Sequence, residues 1–294
     1  MSVAIVANPL AGRGRGQKTA QLAKEVLQAH NMDFQLMYTE YPGHAIELAH
    51  RASKNHPVVV ALGGDGTIRE VLEGTWQSPA TLGIIPGGTG NDYARGLGIP
   101  HETKQAIEVL LHGKDTLFDV GFENDLIFGQ MASIGFSVDV LEYVNTHRDG
   151  IWKGSAAFLA GVVATIRHLK SVPVQITVDG EVMEREIIAL FALNMPYGGG
   201  GMKFAPEARY DSGHFHLLFI EAIGRLDLAF TLPKIYTGKH ITHPAVHIVT
   251  GKEITVYGDP LPIMVDGDIF RPRPFHTKIV PQAVRVRIPK TPAP

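Results

Sequence analysis

Two glycine-rich turns, each following directly on a run of buried-type residues, constrain this chain more than any other feature. Val58-Val59-Val60-Ala61-Leu62 runs into Gly63-Gly64-Asp65-Gly66-Thr67 and then a helical Ile68-Arg69-Glu70-Val71-Leu72. Leu82-Gly83-Ile84-Ile85-Pro86 leads into Gly87-Gly88-Thr89-Gly90-Asn91-Asp92. A strand that ends in glycine and opens a helix lets backbone N–H groups approach an anion with no Cβ in the way, and the helix dipole favours negative charge there. Two such turns after consecutive strands stand side by side at the carboxyl edge of a parallel sheet, where ligands bind. Asp65 would repel a bare phosphate, so it points to Mg2+ between the two. The alternative is a tight strand-to-helix turn with Asp65 as its N-cap.

The surrounding chain has the rhythm such turns need. Strand patterns at Val3–Ala7, Phe34–Tyr38, Pro57–Leu62 and Leu82–Ile85 alternate with helical periodicity at Gln17–His30, Ala45–Ala52 and Thr103–His112, which predicts an α/β domain with a doubly wound, mostly parallel sheet. After about residue 121 the pattern turns to antiparallel strands. These are Leu126–Ile134, Pro173–Val178, Val182–Asn194, Phe215–Ala222, Val246–Val256, Pro262–Val265 and Ala283–Ile288, with helices at Ser137–Asn145 and Trp152–Leu169. The expected domains are 1–120 and a β-rich 121–282, with a cleft between them.

Composition removes several function classes. With no cysteine there is no disulfide framework, thiol nucleophile or thiolate metal site, and 27 basic against 29 acidic residues leave no field for nucleic acid. The N-terminal Met1–Asn8 lacks the basic start of a signal peptide. The longest apolar run, Gly154 to Ile166, is about 13 residues, short of the roughly 20 needed to span a bilayer. Together these fit a cytoplasmic enzyme. The 32 glycines are in excess of average composition, concentrated where phosphate contact is expected. Gly12-Arg13-Gly14-Arg15-Gly16-Gln17-Lys18-Thr19 misses the Walker A spacing because Gln17 separates glycine from lysine, and no G-x-G-x-x-G follows the first strand. Asn8, Pro9 and Gly12 at the end of that strand could add phosphate contacts, with Arg13, Arg15 or Lys18 as counter-charge. His240, His243 and His247 approach a metal spacing, but Pro244 breaks the helix and no carboxylate sits among them.

In these motifs the chain resembles the bacterial diacylglycerol-kinase-like lipid kinases, which share their catalytic domain with eukaryotic diacylglycerol and sphingosine kinases. The resemblance spans nearly the whole chain. It rests on Asn8-Pro9 with Gly12, both glycine turns, Phe118-Asp119-Val120-Gly121, Asn194 with Gly198–Gly201, Gly238-Lys239-His240 and Val265-Asp266-Gly267-Asp268. It implies an NAD-kinase-like nucleotide domain and a β-sandwich, with a C-terminal strand over about 283–294 returning to the first domain. It also implies ATP and Mg2+, and a lipid acceptor reached by transient contact with a membrane surface; a homodimer is an open expectation.

By resemblance, Thr39, the run Gly64 to Glu70 with Arg69 inside it, and Thr89 contact ATP, alongside Gly63, Gly88, Gly90 and Asn91. Asp65 lies near the catalytic Mg2+, and Asp92 and Asp119 join a charge network with Arg148 or Lys153. Asp268 stands where the family usually has a glutamate as general base, one methylene longer; Val178-Asp179-Gly180-Glu181 carries the family's letters but reads as a type I′ hairpin. A structural Mg2+ is implied at Arg209, Ser212 and His214, with the site weakened because Ser212 replaces a carboxylate. Two alternatives stay open, an NAD-kinase-type enzyme and a nucleotide- or lipid-binding regulator without turnover.

Overall fold

The computed structural model describes residues 2–147 and 155–290, with 155–159 as backbone alone. The chain divides into two compact units, Met1–Val120 with Pro281–Pro294, and Gly121–Val280.

The first unit runs β1 (Ser2–Ala7), a single turn α1 (Ala11–Gly14), α2 (Gly16–Ala29), β2 (Asp33–Tyr38), α3 (His44–Ala52), β3 (Val58–Gly63), α4 (Asp65–Thr75), β4 (Thr81–Pro86), α5 (Asp92–Gly96) and α6 (Thr103–His112). The strands lie in the order β4-β3-β1-β2, all parallel. Val3, Ile5, Val58, Val60 and Leu62 pack against Ala20, Ala23 and Leu27 of α2 and against Ile107 and Leu110 of α6. Helices cover both faces, so β3 reads as a continuous apolar run rather than an alternation. Arg285 and Val286 pair in parallel with Thr81 and Leu82, and Arg287 forks onto Asp115, fastening the far end of the chain to this sheet. β5 (Lys114–Glu123), which the sequence reading had not separated as a strand, follows α6.

The second unit contains β6 (Leu126–Phe128), β7 (Met131–Gly135), α7 (Phe136–Thr146), α8 (Ser155–Thr165), β8 (Val172–Val178), β9 (Glu181–Leu193), the short β10 (Tyr197–Gly198) and β11 (Met202–Lys203), β12 (Phe215–Glu221), α9 (Arg225–Thr231), β13 (Val246–Gly251), β14 (Glu253–Val265) and the part of β15 (Asp268–Ile288) before Pro281, the rest of that strand belonging to the first unit. Its antiparallel order is β13-β12-β9-β7-β14-β15, with β8 bridging β9 and β14. Alternate residues of β12 serve two cores: Phe215, Leu217 and Phe219 fill the interior between strands, while Leu218 meets Phe136, Val140, Leu228 and Ile235 under the helices.

Two expected strands are broken. Leu126–Ile134 divides at Gly129-Gln130, whose amides turn aside to the Asp266 carboxylate, and Val246–Val256 divides at Lys252, whose amide bonds to Asp179. Of the helix expected at Trp152–Leu169, residues 152–154 lie outside the described residues, Ser155–Thr165 is helical, and the end tightens to a 3-10 turn at Ile166–His168 with Leu169 as its cap. That helix is two-sided, with Val162 buried and Val163 exposed. The three spaced histidines go to separate partners: His240 to the Phe204 carbonyl, His243 to Asp227 and His247 to Glu221.

Candidate active site

At the carboxyl ends of β1, β3 and β4 three turns touch one another. The Gly87 amide donates to the Gly63 carbonyl at 2.7 Å, and a Cβ placed on Gly88 would stand 2.5 Å from the Gly64 Cα, so the two glycine turns pack backbone to backbone. Gly12 has a left-handed φ of 57°, and a Cβ there would collide with the Gly87 carbonyl oxygen, which brings the turn after β1 into the same group. Asn8 ties that turn to β3 through its amide to the Leu62 carbonyl at 3.0 Å, and to α4 through its side-chain amide to the Thr67 hydroxyl at 3.3 Å. Asn91, itself at φ 53°, closes the second turn by accepting from the Gly88 amide at 2.8 Å. Beside them lies a pocket of about 270 Å³ lined by Asn8, Thr39, Gly66, Thr67 and Glu70 among others. The N-terminus of α4 thus opens at Gly66 and Thr67 on a cavity, the arrangement that receives a phosphate.

Asp65 has two jobs. One carboxylate oxygen accepts the Tyr93 amide at 3.0 Å, capping α5 from the neighbouring turn. Burial, and then the nearby Asp92 charge, push its carboxyl up to about 6. Asp92 is buried as well, with the Arg95 guanidinium 3.7 Å away. The two carboxylates are hard-oxygen donors, and a divalent cation beside them would offset the negative charge that burial and Asp92 make costly at Asp65, so the donor chemistry there suits Mg2+. Asp119, also buried, accepts the Gln282 amide at 2.8 Å and so holds the returning strand. Arg148 and Lys153 lie outside the described residues.

Several expected ligands turn out to have structural work. Glu70 accepts the amides of Gly43 and Ala45 at 3.0 and 3.1 Å, capping the start of α3, so this carboxylate is committed to helix packing although it borders the pocket. Arg69 is not exposed: it is largely buried and paired with Glu73 at 3.2 Å. Thr89 is exposed and Thr39 half-buried at the pocket wall, while Pro9 and Gly90 are half-buried in their turns.

In the second unit, Val265-Asp266-Gly267-Asp268 is a two-residue hairpin joining β14 to β15, with φ 45° at Asp266 and 93° at Gly267. Asp266 is buried and accepts the amides of Gly129, Gln130 and Met131 at 2.9–3.0 Å. Asn194, fully buried, holds the same segment from the other side by donating to the Gly129 carbonyl at 2.9 Å. Asp268 is thereby presented, exposed, from a turn anchored by its neighbour. Sequence reading saw the Asp-Gly-acid letters but missed this anchoring role of Asp266, because its partners lie more than 130 residues away. Val178-Asp179-Gly180-Glu181 is a hairpin of the same form, with φ 50° and 92°.

The loop expected to hold a structural Mg2+ has spent its donors internally. The Ser212 hydroxyl lies 3.0 Å from both the Arg209 and His214 carbonyls, the His214 Nδ1 lies 3.0 Å from the Ser212 carbonyl, and Arg209 forks onto Asp211 at 3.0 and 3.1 Å. A hydroxyl sits where these carbonyls converge and the loop's carboxylate is neutralised by arginine, so these residues do not fit Mg2+. The physical reason is the Ser212 side chain itself, which can donate to those carbonyls where a carboxylate could not.

A parallel α/β unit with touching glycine turns over a carboxylate pair is the frame of a phosphate-handling enzyme. Residues 2–122 match the diacylglycerol kinase catalytic domain, and residues 130–288 match the YegS C-terminal NAD kinase beta sandwich-like domain. A diacylglycerol kinase of Staphylococcus saprophyticus is 31% identical over 269 residues, covering 90% of this chain and 88% of that protein. One of Staphylococcus carnosus is 27% identical over 291 residues, covering 97% and 94%. Two crystal structures of putative diacylglycerol kinases from Bacillus anthracis superpose with TM-scores of 0.84 and 0.81, at 23% and 25% identity, each covering 99% of this chain and 98% of the other. The chain belongs to the diacylglycerol kinase family, with its α/β catalytic domain and β-sandwich, and it is a kinase.

Proposed function

We propose that the protein is an ATP- and Mg2+-dependent lipid kinase that moves the γ-phosphoryl group of ATP to a hydroxyl of diacylglycerol or a closely related lipid. The observation that carries this reading is the contact between the two glycine turns beside the pocket at Asn8, Thr39 and Thr67. Backbone N–H groups at the start of α4 orient the phosphates, and Asp65 with Asp92 would hold Mg2+, which neutralises charge on the triphosphate. Asp268 accepts the proton of the lipid hydroxyl as its oxygen bonds to the γ-phosphorus and the bond to the β-phosphate oxygen breaks, leaving ADP. Among the described residues no helix is long and apolar enough to cross a membrane.

The second unit supports an acceptor with a hydrocarbon chain. A small cavity of about 50 Å³ lies beneath α7, α8 and α9, walled by Phe136, Val140, Val162, Phe204, Leu228 and Ile235 among other side chains. It has room for the end of a chain, and a longer chain requires its walls to move.

Two measurements test the reading. Incubating the purified protein with radiolabelled ATP, with and without Mg2+, and with diacylglycerol, monoacylglycerol, a sphingoid base, phosphatidylglycerol or NAD is expected to label a lipid only when Mg2+ is present. Label in NAD and in no lipid would move the assignment to an NAD-kinase-type enzyme, and ATP binding without transfer would make the chain a regulator. Gly88→Ala, which drives a methyl group into the Gly64 backbone, is expected to weaken Mg2+-ATP binding by calorimetry at least about tenfold. Unchanged affinity would show that the contact between the turns does not shape the nucleotide site.

A further inference from the structure

The segment from Arg225 to Thr242, made of α9 and 3-10 turns at Leu232–Thr237 and Lys239–Thr242, has two apolar faces. Leu228, Leu232 and Ile235 face inward and wall the apolar cavity. Leu226 and Phe230, one helical turn apart on α9, are 77% and 75% exposed, and Tyr236 and Ile241 add exposed apolar surface further along. A fold that already buries one apolar face of a short segment has no internal reason to leave a leucine and a phenylalanine of the same segment in water.

The charge of the segment indicates what covers it. Arg225, Lys234 and Lys239 are all exposed, and the one acidic residue between Arg225 and Thr242, Asp227, is held by His243 at 3.2 Å. Apolar side chains flanked by cations that outnumber acids three to one are the composition that lies in the headgroup region of an anionic bilayer, the apolar groups entering the acyl boundary and the cations meeting phosphates.

We propose that this segment is the surface on which the protein docks to an anionic lipid bilayer. The inference rests on the lipid-kinase reading for its purpose, since the same segment that enters the bilayer also walls the cavity offered to the acceptor chain. A lipid leaving the bilayer there meets Leu228 and Ile235 without crossing water. Leu226 and Phe230 contribute to docking and not to the cavity, so binding to the membrane and chemistry are separable by substitution.

The test is flotation of the full-length protein with phosphatidylcholine vesicles, with and without phosphatidylglycerol, beside activity on a short-chain, water-soluble diacylglycerol. Wild-type protein is expected to float with phosphatidylglycerol-containing vesicles. The double variant Leu226→Asp/Phe230→Asp is expected to lose binding at least about tenfold, and Lys234→Glu/Lys239→Glu to lose the preference for phosphatidylglycerol. Tyr257→Asp, an equally solvent-facing change at 58% exposure on β14, is expected to float as wild type. Activity on the soluble lipid and the melting temperature are expected to stay unchanged in all of them. Wild-type flotation by the Leu226/Phe230 variant, or an equal loss in the Tyr257 variant, would overturn the proposal. So would a concentration-dependent dimer that this variant abolishes while flotation persists, because the face would then belong to a second copy. Absence of any transfer to the soluble lipid by the wild type would instead remove the lipid-kinase reading, with the docking result still standing.

Discussion

Asp268→Asn is expected to lower kcat on a lipid hydroxyl by roughly a hundred- to ten-thousand-fold, the span a positioned general base contributes, with the melting temperature unchanged. The amide keeps the shape and polarity of the carboxylate and removes its ability to take a proton. Stability should hold because Asp268 is exposed at the start of β15, while the turn that presents it is fastened by Asp266. The contrasting variant makes the assignment sharper. Asp266→Ala strands three buried amides, at about 1–3 kcal/mol for each unsatisfied group, and should lose stability and activity together. Asp268→Glu, which restores the chain length usual at this position in the family the motifs resemble, is expected to retain transfer. A kinetic assay at saturating ATP, read beside thermal denaturation, separates these outcomes. Wild-type kcat in Asp268→Asn would leave the lipid hydroxyl without a protein base at this position.

The two Asp-Gly-acid hairpins show where sequence reading reaches its limit. Both adopt the same left-handed pair of residues, because the local letters dictate the local turn. What distinguishes them is distant: the Asp179 carboxylate accepts the amides of Lys252 and Glu253 at the surface, whereas Asp266 takes three amides in the interior. The glycine turns were legible for the same reason that the hairpins were alike, since the chemistry of strand, glycine and helix start is contained in ten consecutive residues. Their contact with each other was inferred from the order of strands in a parallel sheet. The capping role of Glu70 is not legible in the sequence, because its targets, Gly43 and Ala45, are 27 and 25 residues away at the start of another helix. Ser212 was read as a lost metal ligand, but a hydroxyl is also a donor, and only the convergence of two carbonyls on it shows which role it takes.

Glu123→Gln is expected to stabilise the protein at alkaline pH and to leave it nearly unchanged in acid. The Glu123 side chain is fully buried; one oxygen accepts from the Asn124 side-chain amide at 2.7 Å and the His276 amide at 3.3 Å, and the other has no partner among the described residues. Burial pushes its carboxyl up to about 8, against the partial relief given by the His276 amide and the Arg273 guanidinium. An unfolded glutamate releases its proton near pH 4.3, so between that pH and about 8 the folded state binds more protons than the unfolded state. Stability therefore falls as pH rises across this interval, by roughly 1.4 kcal/mol per unit at most, and the decline levels off once the folded carboxyl has ionised. Glutamine carries no proton to lose, and its variant should escape the whole decline. Melting temperatures of both proteins from pH 4 to 9 are expected to converge at the acid end, to separate progressively up to about pH 8 and to run parallel above it, with the variant higher. A constant difference over that range would mean that Glu123 ionises at its ordinary pH, and that water or a moving neighbour reaches the oxygen that the interior leaves unpaired.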